Sequence, residues 1–372
     1  MFQIENGRNK VLIEDIINGM YDWVRVIDRN DRIIYVNKAM EEALEHCPKG
    51  DKCFKAIGRD EPCENCISRK AFLDGRPHHK DEVINDRIFS VMSSPIKNGN
   101  GEIIAAVEVL RDITELKSLQ EKVMEQNKKL QDDLNIAKKL QCSLLPKGLP
   151  EDAIEFSFVY QPCEDLGGDF LDIFKIDEAH VGMYIADVSG HGVPASILTV
   201  FLRSSVNKKS LSPAEVLTGL YRAFNDNNFD HDVYITVFYA IIDLKEYSIK
   251  YSNAGHNVSP VVFNIKENKR LEFLRAPGIP ISNWVDSPSY SDNVLSLFKG
   301  DRVFLSTDGI IELKNREKEQ FGEERLQNVL LNDTSGTSGT LNKIITDACI
   351  FAGIDDVSKI SDDITMALIE IK

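Results

Sequence analysis

Residues 113–145 constrain this chain most, because they contain neither Gly nor Pro and repeat an apolar residue every seventh position, at Leu116, Val123, Leu130, Ala137 and Leu144. Ile113 and Leu134 stand three positions ahead of Leu116 and Ala137, while Gln120, Asn127 and Gln141 interrupt the seam. This spacing predicts one continuous helix with a heptad face. Such a helix spans roughly 50 Å and is too long to be stable alone, so it is expected to pair with its copy in a second chain, as a homodimer. Polar residues in the seam weaken a coil and fix its register. A solvated single-helix spacer has the same composition. Either way, the chain must fold as separate parts on the two sides of this helix.

The C-terminal side is organised around Tyr184-Ile185-Ala186-Asp187-Val188-Ser189-Gly190-His191-Gly192-Val193-Pro194-Ala195. Val181 to Ala186 reads as a buried strand, and Pro194 suits the first residue of the helix that follows, where its missing N–H costs nothing. Asp187 therefore sits at a strand end. The glycines let backbone N–H groups turn toward one point, and a helix N-terminus behind them favours an anion such as a phosphoryl group. A carboxylate beside an anion site calls for a hard divalent cation between them. A plain strand–turn–helix connection with a solvated carboxylate has the same local pattern.

Further strands are expected at Glu155–Gln161, Phe170–Ile176, Tyr234–Asp243, Ser248–Asn253, Pro260–Asn264, Arg302–Thr307 and Ile364–Ile371, with helices near 194–207, 213–225, 323–331 and 340–352. Hairpin-length connections imply an antiparallel two-sheet core flanked by helices, an α+β architecture. Asp308 follows one strand before Gly309, Asp362-Asp363 open the last strand, and Asp169 in Gly167-Gly168-Asp169 starts another. In an antiparallel sheet these ends can meet Asp187 at one edge. Clustered carboxylates need a positive partner, and Mg²⁺ or Mn²⁺ with oxygen ligands supplies it.

Residues 11–112 read as a second α+β piece, with a hairpin at Trp23–Asn37, a helical middle and a long hairpin at Arg87–Asp112. Cys47, Cys53, Cys63 and Cys66 lie within twenty residues there and admit three readings: a zinc or iron–sulfur site, a redox pair, or reduced packed thiols. His78-His79 after Gly75-Arg76-Pro77 reads as an exposed polar turn. Lys+Arg total 44 and Asp+Glu 59, a formal charge of −15, which excludes a nucleic-acid surface built on basic blocks. Met1-Phe2-Gln3-Ile4-Glu5 lacks the layout of a signal peptide, no apolar run approaches a membrane span, and an odd count of seven cysteines does not suit a secreted scaffold. A cytoplasmic protein without a membrane partner is expected.

Two resemblances sharpen these readings. The segment Val26-Ile27-Asp28-Arg29-Asn30-Asp31-Arg32-Ile33-Ile34-Tyr35-Val36-Asn37, with the exit Arg111-Asp112-Ile113-Thr114, resembles the Per-Arnt-Sim (PAS) sensor fold, which implies a small-molecule or redox signal. The series Ala137–Pro146, Gly167-Gly168-Asp169, Asp187–Gly192, Asn253-Ala254-Gly255-His256-Asn257, Thr307-Asp308-Gly309 and Asp362-Asp363-Ile364-Thr365 resembles the bacterial metal-dependent serine/threonine phosphatases of the SpoIIE and RsbU type, relatives of protein phosphatase 2C with the PPM fold. The organisation implied is a PAS sensor at 11–112, a coiled-coil linker at 113–145 and a phosphatase at 146–372.

By that resemblance Asp187 bridges two divalent metal ions, the Val188 carbonyl binds one of them, and Asp308 and Asp362 complete the first site, with Asp169 and Asp363 at further motif positions. His191 is the candidate acid for the leaving serine oxygen. It stands four residues after the bridging aspartate, whereas eukaryotic relatives have a histidine two residues after it, and a loop-packing role is the alternative. His256 is read as structural. The family's substrates imply a phosphorylated anti-sigma-factor antagonist of STAS type as partner, with the sensor acting through the paired helices on the helices at 194–225. Two other readings are a diguanylate cyclase, suggested by Gly167-Gly168-Asp169-Phe170, and a metal-free scaffold that only binds a partner.

Overall fold

The computed structural model describes residues 6–148, 153–265, 270–355, 360 and 362–372. Contacts divide the chain into two compact units, Met1–Leu130 and Gln131–Lys372. The first unit begins with helix α1 (Asn6–Asn18), the hairpin of β1 (Trp23–Ile27) and β2 (Ile33–Val36), and helix α2 (Lys38–Leu44), whose N-cap Asn37 accepts the Met40 N–H. Helix α3 (Ile67–Asp74) then leads to β3 (His78–Ile84), β4 (Arg87–Lys97) and β5 (Ile103–Asp112). The sheet is antiparallel in the order β2-β1-β5-β4-β3.

This differs from the expectation at His78-His79, which open a strand instead of forming a turn. His78 Nε2 lies 2.8 Å from Asp74 Oδ2 and His79 Nε2 lies 2.8 Å from Ser90 Oγ. The sequence His-His-Lys-Asp-Glu-Val-Ile hides the strand because β3 is an edge, paired on one side and largely exposed. The centre of the unit holds a buried ion pair, Arg25 Nε to Glu108 Oε2 at 2.6 Å, with Ser68 donating to the other oxygen of Glu108 and Arg25 Nη1 donating to the Cys53 carbonyl.

The cysteines carry no metal geometry. Cys47, Cys53, Cys63 and Cys66 form no disulfide, and among the described residues no three His, Cys, Asp or Glu side chains are placed to hold an ion. Burial pushes the Cys53 thiol up to about 12, which disfavours the thiolate that a ligand or nucleophile requires. Cys63 Sγ sits 3.4 Å from Arg59 Nη1 and 3.7 Å from Glu82 Oε1, within an Arg59–Glu82 ion pair.

Helix α4 (Thr114–Leu144) is continuous, as the absence of breakers demands. Leu116, Val123 and Leu130 are each more than half exposed, while Gln141, which interrupts the heptad seam, is the helix's buried residue.

The second unit is a four-layer sandwich. After β6 (Ile154–Gln161), β7 (Phe170–Lys175) and β8 (His180–Val188) come helices α5 (Gly192–Ser205) and α6 (Pro213–Asp226), and then β9 (Ile235–Asp243) and β10 (Ser248–Ala254). Strands β11 (Val261–Asn264), β12 (Arg270–Phe273), β13 (Asn293–Ser296) and β14 (Arg302–Ser306) precede helices α7 (Gly322–Asn332) and α8 (Thr337–Ala352) and the final strand β15 (Ile364–Ile371). One sheet has the order β13-β10-β9-β8-β7 and the other β12-β11-β14-β15-β6. All eight expected strands form. Strands β12 and β13 escape the sequence pattern because both are four-residue edges with little buried surface.

Alternation sorts each strand between layers. Val181, Met183 and Ile185 of β8 pack with Val303 and Leu305 of β14 and with Ala367 and Ile369 of β15 between the sheets. Tyr184, Ala186 and Val188 face α5 and α6 on one outer side, and Phe304, Met366 and Leu368 face α7 and α8 on the other.

Candidate active site

That alternation carries Asp187 to its place. It continues the row Val181, Met183, Ile185 and so faces the gap between the sheets, at the end where β14 hands over to Asp308 and β15 begins after Asp362 and Asp363. Asp169 continues the inward row of Leu171 and Ile173 in the same way. The acids therefore do not share one sheet edge, as the sequence reading had it. They converge across the end of the sandwich, Asp169 and Asp187 from one sheet and Asp308, Asp362 and Asp363 from the other.

Electrostatics records the convergence. Burial first, and then the charges of Asp308, Asp362 and Asp363, raise the Asp187 carboxyl to about 7. Asp169 is raised well above the ordinary range by its burial and by Asp187, and Asp362 is raised by partial burial and by Asp308 and Asp363. None of Asp187, Asp308 and Asp362 forms an ion pair with a described basic residue.

The five acids are not equivalent. Asp363 is buried and already engaged: Oδ1 accepts from Cys163 N at 2.8 Å, and Oδ2 from Gly168 N at 2.6 Å and Asp169 N at 3.4 Å. Asp169 Oδ2 accepts from Thr307 Oγ1 at 2.7 Å. These two stitch the glycine loop to the second sheet. Among the described residues, Asp187, Asp308 and Asp362 each keep at least one carboxylate oxygen without a donor, Asp362 Oδ1 accepting only the Asp363 N–H at 2.9 Å. Asp308 is aimed by Asn257, whose Nδ2 donates to Oδ2 at 3.0 Å.

Asn257 is a residue whose job the sequence did not reveal, although it belongs to the quoted Asn253–Asn257 motif. Asn253 Oδ1 accepts the His256 N–H at 2.8 Å, closing the turn that presents Asn257. His256 is structural, as expected: it is buried, its Nε2 lies 3.0 Å from the Ser306 carbonyl, and burial lowers it to about 4, so it stays neutral and donates there.

The glycine loop brings carbonyls to the same place. A Cβ on Gly168 would lie 3.0 Å from both the Val188 and the Gly190 oxygen, an approach that glycine permits. His191 stands at the N-cap position of α5 without a side-chain capping bond, and its side chain is 70% exposed, with Nδ1 2.9 Å from Glu164 Oε1. It is therefore not a packing residue of the loop.

Gln141 anchors the end of α4 to this loop. Its Nε2 donates to the Gly167 carbonyl at 2.8 Å and its Oε1 accepts the Gly167 N–H at 3.3 Å, with Thr199 Oγ1 of α5 at 3.3 Å. Gln141→Ala strands both peptide groups of Gly167 in a buried place and is expected to cost about 1–3 kcal/mol, read as a lower urea midpoint for the full chain.

Among the described residues no three acids stand in finished coordination geometry. The donor set nevertheless suits a hard cation: carboxylate oxygens and a backbone carbonyl, negative and uncompensated, with no sulfur or imidazole among them.

The raised Asp187 carboxyl has a consequence for stability. Its pKa in the folded protein, about 7, lies above its unfolded value, so its favourable contribution is complete below about pH 4 and is lost as pH rises through 7. In EDTA, the thermal midpoint of the protein relative to its Asp187→Asn variant should therefore fall between pH 4 and pH 7.5, by on the order of 2 kcal/mol expressed as stability.

Comparison with known proteins decides the family. Residues 177–372, more than half of the chain, match the family model of stage II sporulation protein E (SpoIIE). The chain belongs to the SpoIIE family. A PAS domain model matches residues 12–76. Phosphoserine phosphatase RsbU of Bacillus subtilis (strain 168) is 25% identical over 286 residues, covering 75% of this chain and 78% of that protein. Phosphoserine phosphatase RsbP of the same organism is 29% identical over 188 residues, covering 48% of this chain and 45% of that protein. The SiaA-PP2C domain of Pseudomonas aeruginosa superposes with a TM-score of 0.58 at 20% identity, covering 66% of this chain and 99% of that chain, a likeness of fold. The cyclase and scaffold readings find no support among these relatives.

Proposed function

We propose that this SpoIIE-family protein is a signal-regulated phosphatase that removes phosphate from serine or threonine on a partner protein. Residues 146–372 act as the catalytic domain, 11–112 as the PAS sensor and 113–145 as a helical coupler paired in a homodimer. The observation that carries the reading is the convergence of Asp187, Asp308 and Asp362 across the sandwich end, negative and without a protein cation. The names of RsbU and RsbP, both phosphoserine phosphatases, support the reaction. The proposed partner is a phosphorylated anti-sigma-factor antagonist of STAS type.

Asp187, Asp308, Asp362 and the Val188 carbonyl would hold two divalent cations, Mg²⁺ or Mn²⁺, which when bound activate a water and neutralise phosphoryl oxygens. Asn257 holds the Asp308 carboxylate in one rotamer, and Asp363 and Asp169 hold the glycine loop against the second sheet. The N-terminus of α5 lies behind that loop and favours the phosphoryl anion. As water oxygen bonds to phosphorus, the bond from phosphorus to the serine oxygen breaks, and that oxygen needs a proton. His191, with Nδ1 on Glu164, has Nε2 free to deliver it. Gln141 ties the coupler to the loop, a path by which the sensor would reach the site.

p-Nitrophenyl phosphate tests the reading. Hydrolysis should require Mn²⁺ or Mg²⁺ and disappear in EDTA. Turnover indifferent to EDTA, or none with either cation, would sink the two-cation proposal.

A further inference from the structure

Outside the acid cluster lies a cleft of about 250 Å³ lined by Phe224, Phe229, Asp230, His231 and Asn283 among others. Its chemistry asks for a cation on a long stem. The partly exposed Phe229 ring, backed by the buried Phe224 ring at 4.9 Å, offers an apolar wall suited to an alkyl chain or a guanidinium. Asp230 is exposed and joins no ion pair with a described residue. Asn283 Nδ2 donates to the Phe229 carbonyl at 3.1 Å and so fixes that edge of the cleft.

The cleft belongs to the rim of the catalytic loop. Trp284, the next residue, is half exposed yet fixed: its Nε1 donates to the His231 carbonyl at 2.9 Å and its ring packs 5.1 Å from that of Tyr234. Tyr234 is in turn joined to Ser189 by two hydrogen bonds, Ser189 N to Tyr234 O and Tyr234 N to Ser189 Oγ, both 3.0 Å. Ser189 is two residues beyond Asp187. A rigid, exposed tryptophan beside an acidic cleft is the composition of a protein-docking hot spot.

We propose that this cleft is a subsite for a lysine or arginine side chain of the phosphoprotein substrate, with Trp284 as the neighbouring anchor. The proposal rests on the phosphatase reading and adds to it a preference for a basic residue near the phosphoserine. Nonapeptides with a central phosphoserine on an alanine background, carrying one arginine at each position in turn, test it on the full chain with Mn²⁺. At one register the arginine peptide is expected to show kcat/KM at least ten times that of the all-alanine peptide, through KM. Asp230→Ala and Trp284→Ala should reduce that preference below threefold while leaving p-nitrophenyl phosphate turnover within twofold.

Fluorescein-labelled, unphosphorylated versions of the same peptides, read by anisotropy in EDTA, should show tighter binding of the arginine peptide to the wild-type protein and not to Asp230→Ala. Equal kcat/KM for all peptides, a preference that persists in Asp230→Ala, or anisotropy indifferent to arginine would overturn the subsite. Absence of p-nitrophenyl phosphate turnover by the wild-type protein would instead remove the phosphatase reading, and the anisotropy would still decide the cleft.

Discussion

Asp187→Asn is expected to lower Mn²⁺-dependent phosphate release by at least ~10³-fold, about 4 kcal/mol of transition-state stabilisation, while the cation-free protein becomes more heat-stable at pH 7.5. The two effects have one cause. Asp187 is driven into the gap between the sheets by strand alternation, where burial and the charges of Asp308, Asp362 and Asp363 raise its carboxyl to about 7. Asparagine fills the same space without the charge, so it relieves the repulsion and removes the donor needed between two cations. A residue that served only the fold would lose stability and activity together. Phosphate release measured at saturating Mn²⁺, beside thermal midpoints in EDTA, distinguishes these outcomes; a variant both active and less stable would remove Asp187 from the site.

Gly309→Ala should be comparably severe by a different route. A Cβ there would lie 2.0 Å from the Asp363 carbonyl oxygen and 2.9 Å from its carbon, both main-chain atoms that cannot rotate away. The end of β14 and the start of β15 must separate, which moves Asp308 away from Asp362. We expect a loss of at least ~10²-fold in phosphate release, since displacements near 1 Å cost that much, and destabilisation of roughly 3 kcal/mol or more. Gly219→Ala in α6 is the control. Nothing lies within 4 Å of its added Cβ, and the helix should gain roughly 0.5–1 kcal/mol. Urea midpoints of the two variants should move in opposite directions.

How much of this was legible beforehand follows from the range of each interaction. The strand at Asp187, the glycine loop behind it and the helix after it are local patterns and all form, although the helix opens at Gly192, two residues before the Pro194 expected to start it, because the glycine loop itself supplies the first helical residues. The candidate acids at 169, 187, 308, 362 and 363 were likewise legible as strand ends. Their division of labour was not, because it depends on donors 26 to 200 residues away: Gln141 on Gly167, Thr307 on Asp169, and Cys163 and Gly168 on Asp363. Gln141 was assigned to the heptad face by period, yet packing places it in the catalytic unit. Edge strands at 78–84, 270–273 and 293–296 were missed because a strand paired on one side need not be apolar.

By itself, then, the sequence determined the elements, the long unbroken helix and the inventory of acids, since periodicity and turn chemistry act over a few residues. Only the tertiary structure decided that the acids meet between two sheets instead of along one, that Asn257 aims Asp308, and that a cleft lined by Phe229, Asp230 and Asn283 opens beside Trp284. Those facts arise where strand ends from opposite layers are brought face to face, and no spacing along the chain encodes that distance.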